Sequence, residues 1–190
     1  DSPTAKEIPD KYKDPKHYWT GVYVGVLGFC SNKKVLDEKG LAVPESWSDL
    51  LKPELKGQIS TAHPSTSGTA FTTLWTQVVL GGSENAGIDY MKKMHANVLQ
   101  YTKSGTAPGQ IAGRGEVAVG LVFSHDCVKY RDEGMKDLVV SFPKEGTGYE
   151  IGGVALVKNS KHSEAAKKYI DWAISADAQN LGQTVGSNQI

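Results

Sequence analysis

Two short stretches carry the residue types most able to bind a small polar molecule. The first is His63-Pro64-Ser65-Thr66-Ser67-Gly68-Thr69, which joins a strand-like run to the start of an apolar helical pattern. A helix start offers unpaired backbone N–H groups and a partial positive charge, Gly68 lets the backbone approach a ligand, and the hydroxyls add donors. Phosphate, phosphonate or carboxylate would suit such a seat; equally, Ser67 or Thr69 could simply cap the helix. No lysine follows in the P-loop position, so nucleotide hydrolysis is not indicated. The second stretch is Ser124-His125-Asp126, where the apolar run Val117 to Phe123 ends. An imidazole beside a carboxylate can hold sugar-type hydroxyls by donating or accepting as needed, although Asp126 could instead be a helix cap and His125 a surface residue.

Other chemistries fit less well. Ser, His and Asp are present, but no G-x-S-x-G elbow accompanies them, and an adjacent His-Asp pair does not make a nucleophile–base–orienter set. His63, His95, His125 and His162 fall on unrelated elements without metal-ligand spacing, so no metal or cofactor is expected. Glu145 and Glu150 flank a glycine-rich bend ahead of a strand placed at Gly153 to Lys158, and could accept ligand hydroxyls or be solvated loop charges.

Positioning these residues requires an α/β scaffold. The chain has 190 residues, enough for a real core, and its 21 basic and 21 acidic residues cancel. Nothing in that balance suggests nucleic acid or a polybasic membrane anchor, and no apolar run approaches the ~20 residues of a membrane span. Residues 1–17 read as a polar, proline-bearing extended connection. Strand patterns at Gly21 to Ser31, Gln58 to Ala62, Asn97 to Thr102, Val117 to Ser124 and Leu138 to Phe142 alternate with helices at Thr69 to Leu80, Ser83 to Ala96 and Ala107 to Arg114. A further helix, His162 to Ile174, repeats Ala165, Ala166, Tyr169, Ile170 and Ala173 at helical spacing. Alternation of this kind predicts a sheet covered on both faces. If the strands before the two polar stretches are parallel, both stretches gather at the carboxyl ends of the strands, where open α/β sheets bind ligands.

The ordered set Ser31-Asn32-Lys33, Pro44-Glu45-Ser46-Trp47-Ser48-Asp49-Leu50-Leu51, Leu55-Lys56-Gly57, His63 to Thr69, Gly115-Glu116-Val117-Ala118-Val119-Gly120, Pro143-Lys144-Glu145-Gly146-Thr147, Glu164 to Trp172 and Asp177-Ala178-Gln179 resembles the type 2 periplasmic binding proteins of ferric-iron, phosphonate and hexose-phosphate ABC importers. The resemblance implies a non-enzymatic, monomeric, extracytoplasmic lobe that hands a small ligand to a membrane permease, with its signal peptide removed. It implies lobe two over 18–150, followed at 151–190 by the return strand and helices of lobe one, and a mixed five-stranded sheet of order 2-1-3-n-4 with strand n antiparallel.

Iron binders of that group carry paired tyrosines where this chain has Ser124-His125-Asp126, which turns the expectation from iron toward a sugar phosphate or related organic phosphate. Carried over, Ser65, Thr66, Ser67, Gly68 and Thr69 would hold phosphate, and His125, Asp126 and one of Glu145 or Glu150 the hydroxyls. Ferric iron, or phosphoester cleavage by His125 and Asp126, are the alternatives. The implied strand order also places Cys30 and Cys127 at opposite ends of the sheet, on the order of 20 Å apart and beyond the ~7 Å reach of a disulfide, so two free thiols are expected.

Overall fold

Strand β1 (Thr20–Asn32) is the long central element of the computed structural model, which describes residues 2–184. Its inner half alternates between two cores: Leu27 and Phe29 point to one face of the sheet and Cys30 to the other, as a period-2 strand buried on both sides must. After β1 come α1 (Lys33–Glu38), β2 (Ile59–Ala62), α2 (Gly68–Gly81), α3 (Glu84–His95) and β3 (Val98–Thr102). Then follow α4 (Ala107–Gly113), β4 (Val119–Phe123), α5 (Ser124–Asp132), β5 (Leu138–Ser141), β6 (Tyr149–Val154), α6 (Ser163–Ala173) and α7 (Ala176–Thr184). The ends of the ranges 1–17 and 151–190, Asp1 and residues 185–190, lie outside the described residues.

The chain divides into two compact units, Val26–Tyr149 and a second made of residues 2–25 with 150–184. In the first, the strands run β3-β2-β4-β1-β5, the expected 2-1-3-n-4 order. β2 is parallel to β3 and β4, whereas β1 is antiparallel to both β4 and β5. One face carries Leu27, Phe29, Leu36, Trp47, Leu50, Ile59 and Met94; the other carries Cys30, Ile111, Val122, Cys127, Tyr130 and Leu138. Trp47 sits edge-on to Phe29 at 5.0 Å between ring centroids, in a 3-10 turn (Trp47–Leu51). Asn97 ties that turn to β3 by donating to the carbonyls of Leu50 and Lys52 at 2.8 and 2.9 Å.

In the second unit β6 pairs with the outer half of β1, and Gln179 of α7 donates to the Val22 carbonyl at 3.0 Å. β6 begins at Tyr149, four residues before the expected strand, so Glu150 is a strand residue and not part of the bend. Two 3-10 turns, Pro3–Lys6 and Asp10–Tyr12, interrupt the segment read as extended. Along α6 only Ala173 of the expected apolar stripe is buried; Tyr169 is largely exposed.

Cys30 and Cys127 are joined, not free: they form a disulfide with a Cα–Cα separation of 5.5 Å. The expected strand order is present, so the error lay in the path of the helix. β4 has only five residues, and Leu27 of β1 pairs with its last one, Phe123, which leaves Cys30 opposite Gly120 in mid-sheet. α5 then starts at the very next residue and packs back over β5, bringing Cys127 Sγ to 3.8 Å from the carbonyl of Val139. A helix that returns across the sheet cancels the strand-length separation that an outward path would have added.

Candidate functional site

Because β2, β3 and β4 all point the same way, the segments leaving them lie at one end of the sheet. These are His63 to Ser67 after β2, Lys103 to Thr106 after β3, and the first turn of α5 after β4. The geometry is the carboxyl-end arrangement at which open sheets bind ligands.

His63 organises the first segment. Its carbonyl accepts from the amides of Thr66 and Ser67 at 3.0 and 3.1 Å. Its ring Nδ1 accepts the Ser65 amide at 3.2 Å and lies 2.7 Å from the Ser65 hydroxyl. An acceptor Nδ1 puts the proton of the neutral ring on Nε2. Thr66 Oγ1 donates to the Lys103 carbonyl at 3.2 Å, joining this segment to the next. Ser67 caps α2 by accepting from Ala70 N–H at 3.4 Å, Gly68 is the first helical residue, and the Thr69 side chain is buried. The cap and the donor-rich loop are therefore the same residues, and neither reading of them displaces the other.

The segment Lys103 to Thr106 was not picked out by sequence reasoning, although Ser104-Gly105-Thr106 before a helix is the same kind of signal as Ser67-Gly68-Thr69. Gly105 presses against the first segment so closely that a Cβ there would fall on the Thr69 hydroxyl and 2.7 Å from Ser67 Oγ. The hydroxyls of Ser104 and Thr106 are 2.9 Å apart.

His125 and Asp126 occupy the first turn of α5, with Phe123 in the cap position, so Asp126 is not the cap. The His125 ring stacks on Phe123 at 5.9 Å, and its Nε2 stands 3.8 Å from Asp126 Oδ1, both side chains largely buried. Burial pushes the His125 pKa down against the pull of the Asp126 charge. Burial likewise pushes the Asp126 carboxyl up, partly offset by His125 and Lys129. Removal from water disfavours both charged forms. Tyr130, one turn on, donates to the Thr106 carbonyl at 3.3 Å and links α5 to the second segment.

The two glutamates separate. Glu145 accepts from the Ser46 hydroxyl, and the Gly146 carbonyl next to it accepts from Trp47 Nε1 at 3.0 Å. Slight burial raises the Glu145 carboxyl, but the bonds from Ser46 and from backbone amides prevail and hold it below its ordinary value. Glu150 belongs to the other unit, on β6. Among the described residues no group of three or more His, Cys, Asp or Glu could hold a metal ion, and no helix is long and apolar enough to cross a membrane.

This chain is similar to known proteins over nearly all its length. An uncharacterized protein of Haemophilus influenzae is 41% identical over 188 residues, spanning 96% of this chain and 54% of that protein. The structure of the periplasmic binding protein AfuA from Actinobacillus pleuropneumoniae, with exogenous fructose-6-phosphate bound, matches at 40% identity and a TM-score of 0.90 over 99% of this chain and 60% of that one. The periplasmic binding protein P5PA matches at 32% identity and a TM-score of 0.86, over 100% of this chain and 61% of its own. Iron-bound HitA from Pseudomonas aeruginosa, at 20% identity and a TM-score of 0.80 over 100% of this chain and 60% of its own, shares the fold. The chain thus spans little more than half the length of these relatives, and its fold is that of the type 2 periplasmic binding proteins, which bind solutes and are not enzymes. A family model described as bacterial extracellular solute-binding protein matches residues 1–185, and the chain belongs to that family.

Proposed function

We propose that this chain is the ligand-binding part of a solute-binding protein for an ABC importer, and that its ligand is a phosphorylated sugar or a related organic phosphate. The observation that carries the reading is the parallel pairing of β2 with β4, which sets the hydroxyl-rich segment Ser65 to Thr69 at the same sheet end as His125 and Asp126. One group suits an anion and the other suits hydroxyls, and a sugar phosphate presents both. The relative solved with fructose-6-phosphate at 40% identity supports the same choice.

In this reading Ser65, Thr66, Ser67, Gly68 and Thr69 hold the phosphate, with Lys103 to Thr106 beside them. His125 and Asp126 take the hydroxyls. Glu145 is spent on Ser46, and Glu150 is retained as the candidate glutamate on family resemblance alone. Val26–Tyr149 is then lobe two, and the second unit belongs to lobe one of a longer protein. A buried disulfide fits an oxidising, extracytoplasmic compartment, as does the family.

Calorimetric titration with fructose 6-phosphate, fructose, inorganic phosphate and ferric citrate tests the proposal. The sugar phosphate is expected to bind more tightly than either fructose or phosphate alone. Binding of ferric iron with a visible absorption band, and no heat from sugar phosphate, would overturn it.

A further inference from the structure

We propose that the Cys30–Cys127 disulfide is a positioning device for His125 and Asp126, fixing the first turn of α5 to β1 and so setting where the pair stands at the end of β4. This deepens the binding role proposed above, and part of its test is independent of that role.

The helix needs such a device. α1, α2 and α3 are each capped by a side chain, from Asn32, Ser67 and Ser83, which accepts a first-turn amide. α5 has no side-chain cap, follows β4 without a loop, and reads Ser-His-Asp-Cys-Val-Lys-Tyr-Arg-Asp, a largely polar sequence. An uncapped helix is less stable than a capped one, and a short helix gains most of its stability from packing its apolar face. Here that face consists of two buried residues, Cys127 and Tyr130.

Of these two anchors, Tyr130 holds the last turn of the helix to the Thr106 carbonyl. Cys127 holds the first turn, and it does so covalently, one residue after Asp126 and two after His125. Its partner is well grounded, since Cys30 is hydrogen-bond paired between β4 and β5, opposite Gly120 and Val140. Both cysteines are at most 1% exposed, so the bridge is protected from reductants while the fold is closed. Without it, the first turn of α5 keeps the stacking of His125 on Phe123 but loses its covalent tie to β1. The Ser65 to Thr69 segment, anchored by its own bonds to His63 and Lys103, would keep its place.

The test compares the chain with C30A/C127A in two measurements. The first is the titration of the His125 ring followed by NMR. The second is the affinity for fructose 6-phosphate and, separately, for inorganic phosphate. Loss of the tether is expected to raise the His125 midpoint toward the ordinary value of about 6.5 as the ring regains water. Sugar phosphate binding is expected to weaken about tenfold or more, while phosphate binding changes by less than about threefold. An unchanged His125 midpoint with unchanged sugar phosphate affinity would overturn the proposal, as would equal losses for both probes, which indicate general destabilisation. If the parent chain binds no sugar phosphate, the ligand assignment fails and the His125 midpoint alone decides this one. Should the double alanine variant not fold, C30V/C127A refills part of the lost volume, and the reduced parent chain keeps both sulfurs.

Discussion

Gly105 lies directly beneath the Thr69 hydroxyl, in the space a side chain would need, and this contact joins the loops that follow β2 and β3. Replacing it with alanine must push the two loops apart or rotate both hydroxyls away, because the new Cβ would stand 2.7 Å from Ser67 Oγ and 2.8 Å from Thr69 Cβ. The expected result for G105A is a folded chain with affinity for inorganic phosphate and sugar phosphate reduced by about tenfold or more, a loss near 1.4 kcal/mol. Calorimetry together with circular dichroism checks both halves of that statement.

Gly120 serves the sheet in a similar way. It stands between Ser60 and Cys30 in one row across three strands, and the Pro108 backbone of α4 sits on it, with the Pro108 carbonyl carbon 2.7 Å from an ideal Cβ. Here the obstacle is backbone, which cannot rotate away. G120A is therefore expected to destabilise the chain by about 1–3 kcal/mol through overpacking, measured as a lower midpoint in urea with an unchanged slope.

Sequence reasoning recovered the elements whose signals are local. The sheet order followed from family resemblance, and Ser67 was legible as one of two candidate caps because a hydroxyl ahead of an apolar helical pattern can accept a first-turn amide. What it missed depends on how elements return on one another. No residue near Ser124 announces that α5 starts without a loop and folds back, yet that single fact brings Cys127 to Cys30. Gly105 illustrates the same limit: a glycine between Ser104 and Thr106 reads as an ordinary turn until the neighbouring loop is seen to occupy its missing side chain. The role of Glu145 was likewise hidden, since its partner Ser46 is 99 residues away in sequence. The strand expected at Gly153 to Lys158, beyond the glycine-rich bend, is found instead at Tyr149–Val154.

The disulfide also predicts a large stability change. It spans a sequence separation of 97 residues, and the chain-entropy model gives about 4–5 kcal/mol for closing a loop of that length in the unfolded state. Thiol titration of the denatured, unreduced chain is expected to find none, and two after reduction. The reduced chain should unfold at a markedly lower urea concentration. Two titratable thiols before reduction would contradict the bridge.

The His125–Asp126 pair predicts a specific pH response, and the two groups act in opposite directions. Burial lowers the folded pKa of His125 below its unfolded value of 6.5, so between those values the unfolded chain binds more protons. Its contribution to stability is complete above 6.5 and is lost as the pH falls through the folded pKa. Asp126 is raised above 3.8, so its contribution is complete below 3.8 and is lost as the pH rises through the folded pKa. Asn in place of Asp126 cannot ionise and removes the second effect; it also removes the charge that pulls the His125 pKa up, which enlarges the first and acts in the same direction. The stability of D126N relative to the parent chain is thus expected to grow as the pH rises from about 4 to 7, while sugar phosphate binding falls, because the carboxylate is no longer there to accept a hydroxyl. Urea unfolding at several pH values reads the first outcome, and calorimetry with fructose 6-phosphate at pH 7 reads the second. A stability difference that stays flat over this range would mean that Asp126 is not held away from water as its place in the first turn of α5 requires.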